Sequence, residues 1–139
     1  MRLVLAALFL CACAQKAKPK PPPAEIAIEG TATFAGTWLT NDDLDWYYRL
    51  TVAPDGRLDL TVDRGKLGPC EQRGQLVPGK SLPTFILTLD KDTCTETGPT
   101  GGSLAVGIAS YTGNQLVLAY GVGTSTVQRT YVRAPQSVQ

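Results

Sequence analysis

Tyr47-Tyr48-Arg49-Leu50-Thr51-Val52-Ala53-Pro54-Asp55-Gly56-Arg57-Leu58-Asp59-Leu60-Thr61-Val62-Asp63 is the stretch that decides the fold. Tyr48, Leu50 and Val52 alternate with Tyr47, Arg49 and Thr51, and Leu58, Leu60 and Val62 alternate with Asp59, Thr61 and Asp63. Successive side chains of a strand point to opposite faces, so each half has one face to bury and one to leave in water. Pro54-Asp55-Gly56 between them carries turn chemistry, so the stretch predicts a β-hairpin.

The same signal recurs in both directions. Phe85, Leu87 and Leu89 alternate with Thr84, Ile86 and Thr88, while residues 104–111 and 115–120 flank Thr112-Gly113-Asn114, a second tight hairpin. Residues 34–40, 72–77 and 127–132 complete about eight short strands. No stretch has a helical period, and 14 glycines and 10 prolines punctuate the chain. The fold class is therefore all-β, with no substantial helix in the mature domain. Strands that are apolar on one face must hide that face and their free edges, and an antiparallel up-and-down barrel of about eight strands does both. Hairpins that follow one another without a long crossover favour the barrel; a two-sheet β-sandwich is the alternative.

Gly36-Thr37-Trp38 opens the first predicted strand. It resembles the Gly-x-Trp that opens the first strand of lipocalins and related calycin barrels. The resemblance spans roughly residues 34–133. It implies that Trp38 closes one end of the barrel and that an Arg of the last strand, Arg129 or Arg133, packs over it, a favourable cation–π arrangement. The family's second motif, near a Thr-Asp-Tyr, and its C-terminal helix are not found, which leaves a shortened lipocalin-like barrel. That likeness implies a small apolar ligand, although inward Leu and Val suit a packed core equally well. Bacterial inhibitors of secreted metalloproteases, and lipoproteins related to them, are similar in opening a small disulfide-linked barrel near a Gly-x-Trp, with an inhibitory segment that would correspond to part of residues 14–30. Their cysteine placement, close behind the first strand, does not match this chain.

The N-terminus sets the address. Met1-Arg2 precedes an apolar run, Leu3 to Leu10, and then Cys11-Ala12-Cys13. Charge, apolar run and small residue in that order make a secretory signal. Eight residues of helix rise only about 12 Å, far short of the roughly 30 Å hydrocarbon core. The end of the run resembles the bacterial lipoprotein lipobox. The resemblance implies a diacylglycerol on the Cys13 thiol, cleavage before it and acylation of the new amine. Cleavage before Cys11 would instead put bulky Leu10 where the family wants Ala, Gly or Ser. An ordinary signal cut after Ala14 is the alternative. Ala14, where an inner-membrane retention signal carries Asp, points by the same resemblance to the outer membrane of a Gram-negative bacterium. Residues 1–12 are thus read as signal, 13–30 as lipidated cysteine and tether, and 31–139 as the barrel domain. The tether, rich in lysine and proline around Lys16 to Pro23, reads as a stiff extended spacer.

Composition narrows function. The chain has 13 basic and 12 acidic side chains, and the barrel region has no basic stripe, which argues against nucleic acid as a partner. Histidine is absent, which removes the commonest general base and the commonest transition-metal ligand, so a non-enzymatic role is expected. With Cys11 in the signal and Cys13 lipidated, Cys70 and Cys94 remain, and in an oxidising envelope two such thiols read as a disulfide.

Several constellations are set aside. Asn41-Asp42-Asp43-Leu44-Asp45 clusters oxygens as calcium would want, but it lacks the EF-hand order and its glycine and reads as a solvated turn. Asp90-x-Asp92-x-Cys94-x-Glu96 lacks the glycine too. Gly98 to Gly102 and Gly121-Val122-Gly123 have no following helix or lysine and are turns rather than a phosphate loop. No metal or cofactor is expected. Trp46-Tyr47-Tyr48 is a candidate interaction surface, with cross-strand packing at a barrel mouth as its other reading. The leading expectation is an envelope lipoprotein whose barrel binds a small apolar ligand; the alternative is a protein-interaction or inhibitor-like module.

Overall fold

The alternation of residues 47–63 becomes part of the wall of a closed barrel. The computed structural model describes residues 19–94, 103–122 and 125–137. These form eight strands: β1 (Gly36–Asn41), β2 (Tyr47–Val52), β3 (Arg57–Asp63), β4 (Pro69–Pro78), β5 (Thr84–Asp92), β6 (Ser103–Tyr111), β7 (Gln115–Val122) and β8 (Ser125–Arg133). Each runs antiparallel to the next, and β8 returns to β1, so strand order is sequence order and the sheet has no free edge. The barrel, and not the sandwich, is the fold. In the first hairpin Tyr47 faces Asp63, Leu50 faces Leu60 and Val52 faces Leu58, which keeps Tyr48, Leu50, Val52, Leu58 and Val62 inside. Its turn is closed by Gly56 N–H donating to Ala53 O at 2.9 Å, with Gly56 at φ +90°. A Cβ at Gly56 would stand 2.2 Å from Leu76 O, so only glycine fits there.

Several boundaries differ from the sequence reading; β7 runs on to Val122 and β8 starts at Ser125, so Gly121-Val122 is strand and not turn. β1 starts at Gly36 rather than residue 34, because Thr31–Phe34 wind into a 3-10 turn that drops Phe34 into the core. β4 is longer than residues 72–77, since its register with β3 runs from Arg57↔Gln75 to Asp63↔Pro69. A bulge between Ile108 and Ser110 shifts the parity of β6, so that Ile108 and Tyr111, three residues apart, are both buried.

An up-and-down barrel has two distinct ends. The turns 53–56, 79–83 and 112–114 share one end with the start of β1 and the end of β8. Here the interior is solid. Phe34, Trp38, Val52, Phe85 and Leu116 are the most completely buried large side chains, each contributing about 1.5–3 kcal/mol of transfer free energy, somewhat more for the indole. Phe34 meets Phe85 edge to face at 5.3 Å, Trp38 meets Tyr111 at 6.0 Å, and Trp38 Nε1 donates to Phe34 O at 3.0 Å. The lead-in also docks at this end. Ile26 N–H donates to Tyr111 O at 2.7 Å and Ile28 packs against the core, so ordered packing begins ahead of residue 31. The connections 42–46 and 64–68, the end of β5 and the start of β6 lie at the other end, the mouth.

Candidate functional site

Strand parity places residues 127, 129, 131 and 133 of β8 on the inner face, and the charged pair among them divides the interior in two. At the closed end Arg133 lies over Trp38, its Cζ 4.2 Å from the ring centre. The Trp38↔Arg133 register pair brings them together. Gly36 makes the room: it sits at φ +138°, and a Cβ there would stand 2.5 Å from Arg133 Nη1. Arg133 also donates from Nε to Gly113 O at 2.7 Å, from Nη1 to Ala35 O at 3.2 Å and from Nη2 to the Tyr111 hydroxyl at 3.2 Å. Of the two arginines considered for the end closure, Arg133 occupies that place. Arg129 does not: four residues nearer the mouth, it lies over Tyr48 at 3.8 Å.

Above this plug the interior opens into a cavity of about 500 Å³ that reaches the mouth. Its walls are mostly aliphatic: Leu50, Leu58, Leu87, Leu89, Val106 and Leu118 face it. Tyr48, Tyr120, Tyr131 and Arg129 form its polar stripe, while Trp46, Arg64, Gln72 and Asp92 stand around the entrance. Arg64 covers the Trp46 ring at 6.0 Å and donates from Nε to Gly68 O at 3.1 Å, which ties the two loops of the mouth to each other. Cys70 and Cys94 form a disulfide in the cavity wall, with Cα atoms 4.9 Å apart, joining β4 to the residues just after β5. Beside it Asp92 accepts from Gln72 Nε2 at 3.1 Å and from Cys94 N at 2.9 Å.

The acidic run is a built turn. Asp42 Oδ1 accepts from Leu44 N at 2.9 Å and Trp46 N at 3.0 Å, and Oδ2 accepts from the Tyr48 hydroxyl at 2.6 Å. Asp45 completes the turn at φ +59°. The Tyr48 hydrogen bond, with the two amides, holds the Asp42 carboxyl below its usual range. Burial, and then the hydrogen bond to Asp42, pushes the Tyr48 phenol up to about 12. Burial likewise pushes Tyr131 to about 12. Both phenols are therefore neutral at physiological pH. Among the described residues no group of three or more His, Cys, Asp or Glu side chains is placed to hold a metal ion.

Trp46, Tyr47 and Tyr48 do not form one outward surface. Tyr48 is buried in the cavity wall, Trp46 is half-buried at the entrance, and only Tyr47 is turned to solvent, as strand parity requires. Leu44 and Leu67 are exposed on the loops at the same end. The sequence offered Arg129 only as an alternative to Arg133 over Trp38, and its place in the lumen over Tyr48 went unread. The lipobox residues Leu10, Cys11, Ala12 and Cys13, with Lys16, Lys18, Glu96, Gly98 to Gly102 and Gly123, lie outside the described residues. Comparison of the chain with protein-family models, with curated proteins and with solved structures returns no match.

Proposed function

We propose that the protein is a non-enzymatic binding protein of the cell envelope whose barrel takes a small, largely apolar ligand. The observation that carries this reading is the cavity of about 500 Å³, sealed at one end by the Trp38–Arg133 plug and open at the other. Its size falls in the range of roughly 300–1,000 Å³ usual for small-molecule sites, and its lining has the usual form of aliphatic walls with a few convergent polar groups. A core of packed Leu and Val would leave no such space. The absence of histidine supports a carrier rather than a catalyst. The shape supports kinship with lipocalins in the sense of the Gly36-Thr37-Trp38 resemblance, with Trp38 and Arg133 in the roles it implies.

The address rests on sequence alone. The lipobox-like order ending in Cys13 supports a diacylglycerol anchor, and Ala14 an outer-membrane destination. Two or more acyl chains hold a protein to a bilayer where one does so only marginally. Detergent-phase partitioning of the wild type against Cys13→Ser tests the anchor; equal partitioning would remove it. The alternative, a protein-interaction module, retains Tyr47, Leu44 and Leu67 around the mouth as its surface.

Native mass spectrometry of the protein purified from an oxidising compartment tests the binding reading, together with titration by the uncharged dye Nile red. A stoichiometric adduct that is lost on denaturation, or saturable dye binding that Val106→Trp abolishes while the fold persists, is expected. No adduct and no saturable dye binding would overturn it.

A further inference from the structure

Arg129 is a permanent cation in an otherwise mostly aliphatic lumen. The ion pairs among the described residues are Arg57 with Asp55, Arg73 with Asp59 and Glu71, and Lys91 with Glu71, all on the outer surface; none includes Arg129. What Arg129 has around it are phenols. It lies on the face of Tyr48, with the Tyr131 hydroxyl in hydrogen-bond reach and Tyr120 nearby. A ring face offsets part of the cost of desolvating a guanidinium, but it leaves the five N–H donors short of an acceptor that matches their fork. Asp42, beyond the Tyr48 hydroxyl, is a carboxylate that feels Arg129 without forming an ion pair with it, so an oxyanion in the cavity is the partner that best satisfies this half-buried guanidinium.

We infer that the cavity ligand is a single-tailed amphiphile with an oxyanion head, bound with its head on Arg129 and its tail against the opposite wall. This deepens the binding reading above and rests on it. The placement fits the chemistry. β8 carries Arg129, and the strands around the far side of an eight-stranded barrel, β3 to β5, carry Leu58, Leu87 and Leu89 into the same cavity. Tyr131, neutral at physiological pH, stands beside Arg129 as a hydroxyl of the same stripe. The carboxylates nearest the entrance are engaged by other donors, and Asp42 shares the field of Arg129. Asp42 is enclosed by Leu44 N, Trp46 N and the Tyr48 hydroxyl, and Asp92 is held by Gln72 and Cys94 N at the rim.

The test is isothermal titration calorimetry of the delipidated protein with four probes of one tail length: laurate, dodecyl phosphate, dodecanol and dodecyltrimethylammonium. Laurate or dodecyl phosphate is expected to bind about tenfold or more tightly than dodecanol, since the charge-assisted contact is the difference between them. Whichever of the two binds better identifies a carboxylate or a phosphate head. Arg129→Met, with folding checked by near-ultraviolet circular dichroism, is expected to bring the anion down to dodecanol's affinity and leave dodecanol unchanged. Arg129→Lys keeps part of the preference, and provides the comparison if the Met variant misfolds. Dodecanol or the ammonium binding as tightly as the anions would overturn the head-group assignment and leave the apolar cavity standing. Binding of none of the four would remove the cavity reading itself.

Discussion

The guanidinium of Arg133 occupies the space that the missing side chain of Gly36 leaves open. A Cβ on Gly36 would lie 2.5 Å from Arg133 Nη1, and the backbone there, at φ +138°, is one that L side chains rarely adopt. From this place Arg133 covers Trp38 and reaches Ala35 O, Gly113 O and the Tyr111 hydroxyl. It thereby binds the start of β1, the β6–β7 turn and the last residue of β8. The need is local: β1 and β8 pair through Trp38↔Arg133 and Leu39↔Val132 alone, with Ala134 N–H donating to Thr37 O at 2.8 Å just beyond. One residue does much of the closing.

Gly36→Ala should therefore lower stability by about 1–3 kcal/mol, from backbone strain together with displacement of the guanidinium. Urea unfolding followed by tryptophan fluorescence measures it. In a double-mutant cycle with Arg133→Met, the two costs should add to less than their sum, because both remove the same contact. Simple additivity would mean that Gly36 serves its own backbone and not Arg133.

The disulfide makes a separate prediction. Cys70 and Cys94 are 24 residues apart, and all of β5 lies in the loop they close. In the chain-entropy model a loop of that length is worth about 3.5 kcal/mol. Replacing both cysteines by alanine should lower the urea midpoint accordingly. Because both line the cavity wall near the mouth, ligand affinity should fall as well. A variant with unchanged stability would place the constraint elsewhere.

Much of this architecture could be read from residue parity, and the cavity could not. Alternation from Tyr47 to Asp63 is a local consequence of one face being buried, so the hairpin and the inward set were legible. The same parity put Tyr48 inside and Tyr47 outside. It could not separate Arg129 from Arg133, because residues four apart on a strand share a face; the Trp38↔Arg133 register settles the matter, and register is set by the whole closed sheet. Whether inward leucines meet across the lumen or stand apart depends on strand number and stagger, which are global quantities. Ile26 and Ile28 were a local signal of two apolar side chains on one side, hidden among the prolines and lysines of the tether.

The tryptophans report on the cavity from different places. Trp38 is fully buried in the closed end, and Trp46 is half-buried at the entrance, in the lining. Ligand binding should change the emission of Trp46 and leave that of Trp38 nearly constant. Trp46→Phe should abolish the fluorescence response while calorimetry still records binding. A response that survives in the Phe variant would place the ligand deeper than the entrance geometry allows.

Acid should destabilise the fold through Asp42 and Glu71. The hydrogen bond from Tyr48 holds the Asp42 carboxyl below its ordinary value of 3.8, and the hydrogen bond from Lys91 lowers Glu71 from 4.5. For a carboxyl depressed in the folded state, the unfolded chain binds more protons in acid. Its stabilisation is thus complete above the ordinary value and is lost as pH falls through the lower, folded one. Unfolding free energy measured from neutral pH downward should show an acid limb beginning below about pH 5. Asp42→Asn should be less stable than wild type at neutral pH and converge on it in acid. Parallel curves would show that ionisation of Asp42 carries no stability.

At the alkaline end the sign reverses, and the groups lie in the cavity wall itself. Tyr48 and Tyr131 stay protonated until about 12 in the folded protein, whereas an exposed phenol ionises near 10. Burial is the leading cause for both, and Tyr48 is raised further by its hydrogen bond to Asp42. Between those two values the folded chain holds protons that the unfolded chain has released. The stability this represents is fully present below pH 10 and drains away as the pH climbs toward 12. Phenolate absorbance should show the Tyr48 and Tyr131 steps late, and Tyr48→Phe and Tyr131→Phe should each delete one late step. An oxyanion ligand on Arg129 should push the Tyr131 step later still, because a phenolate there would repel the bound head. Ionisation of Tyr48 and Tyr131 near 10 while the protein remains folded would show that water has free access to these phenols, and with it that the cavity wall is not the low-dielectric surface on which the case for an apolar ligand stands.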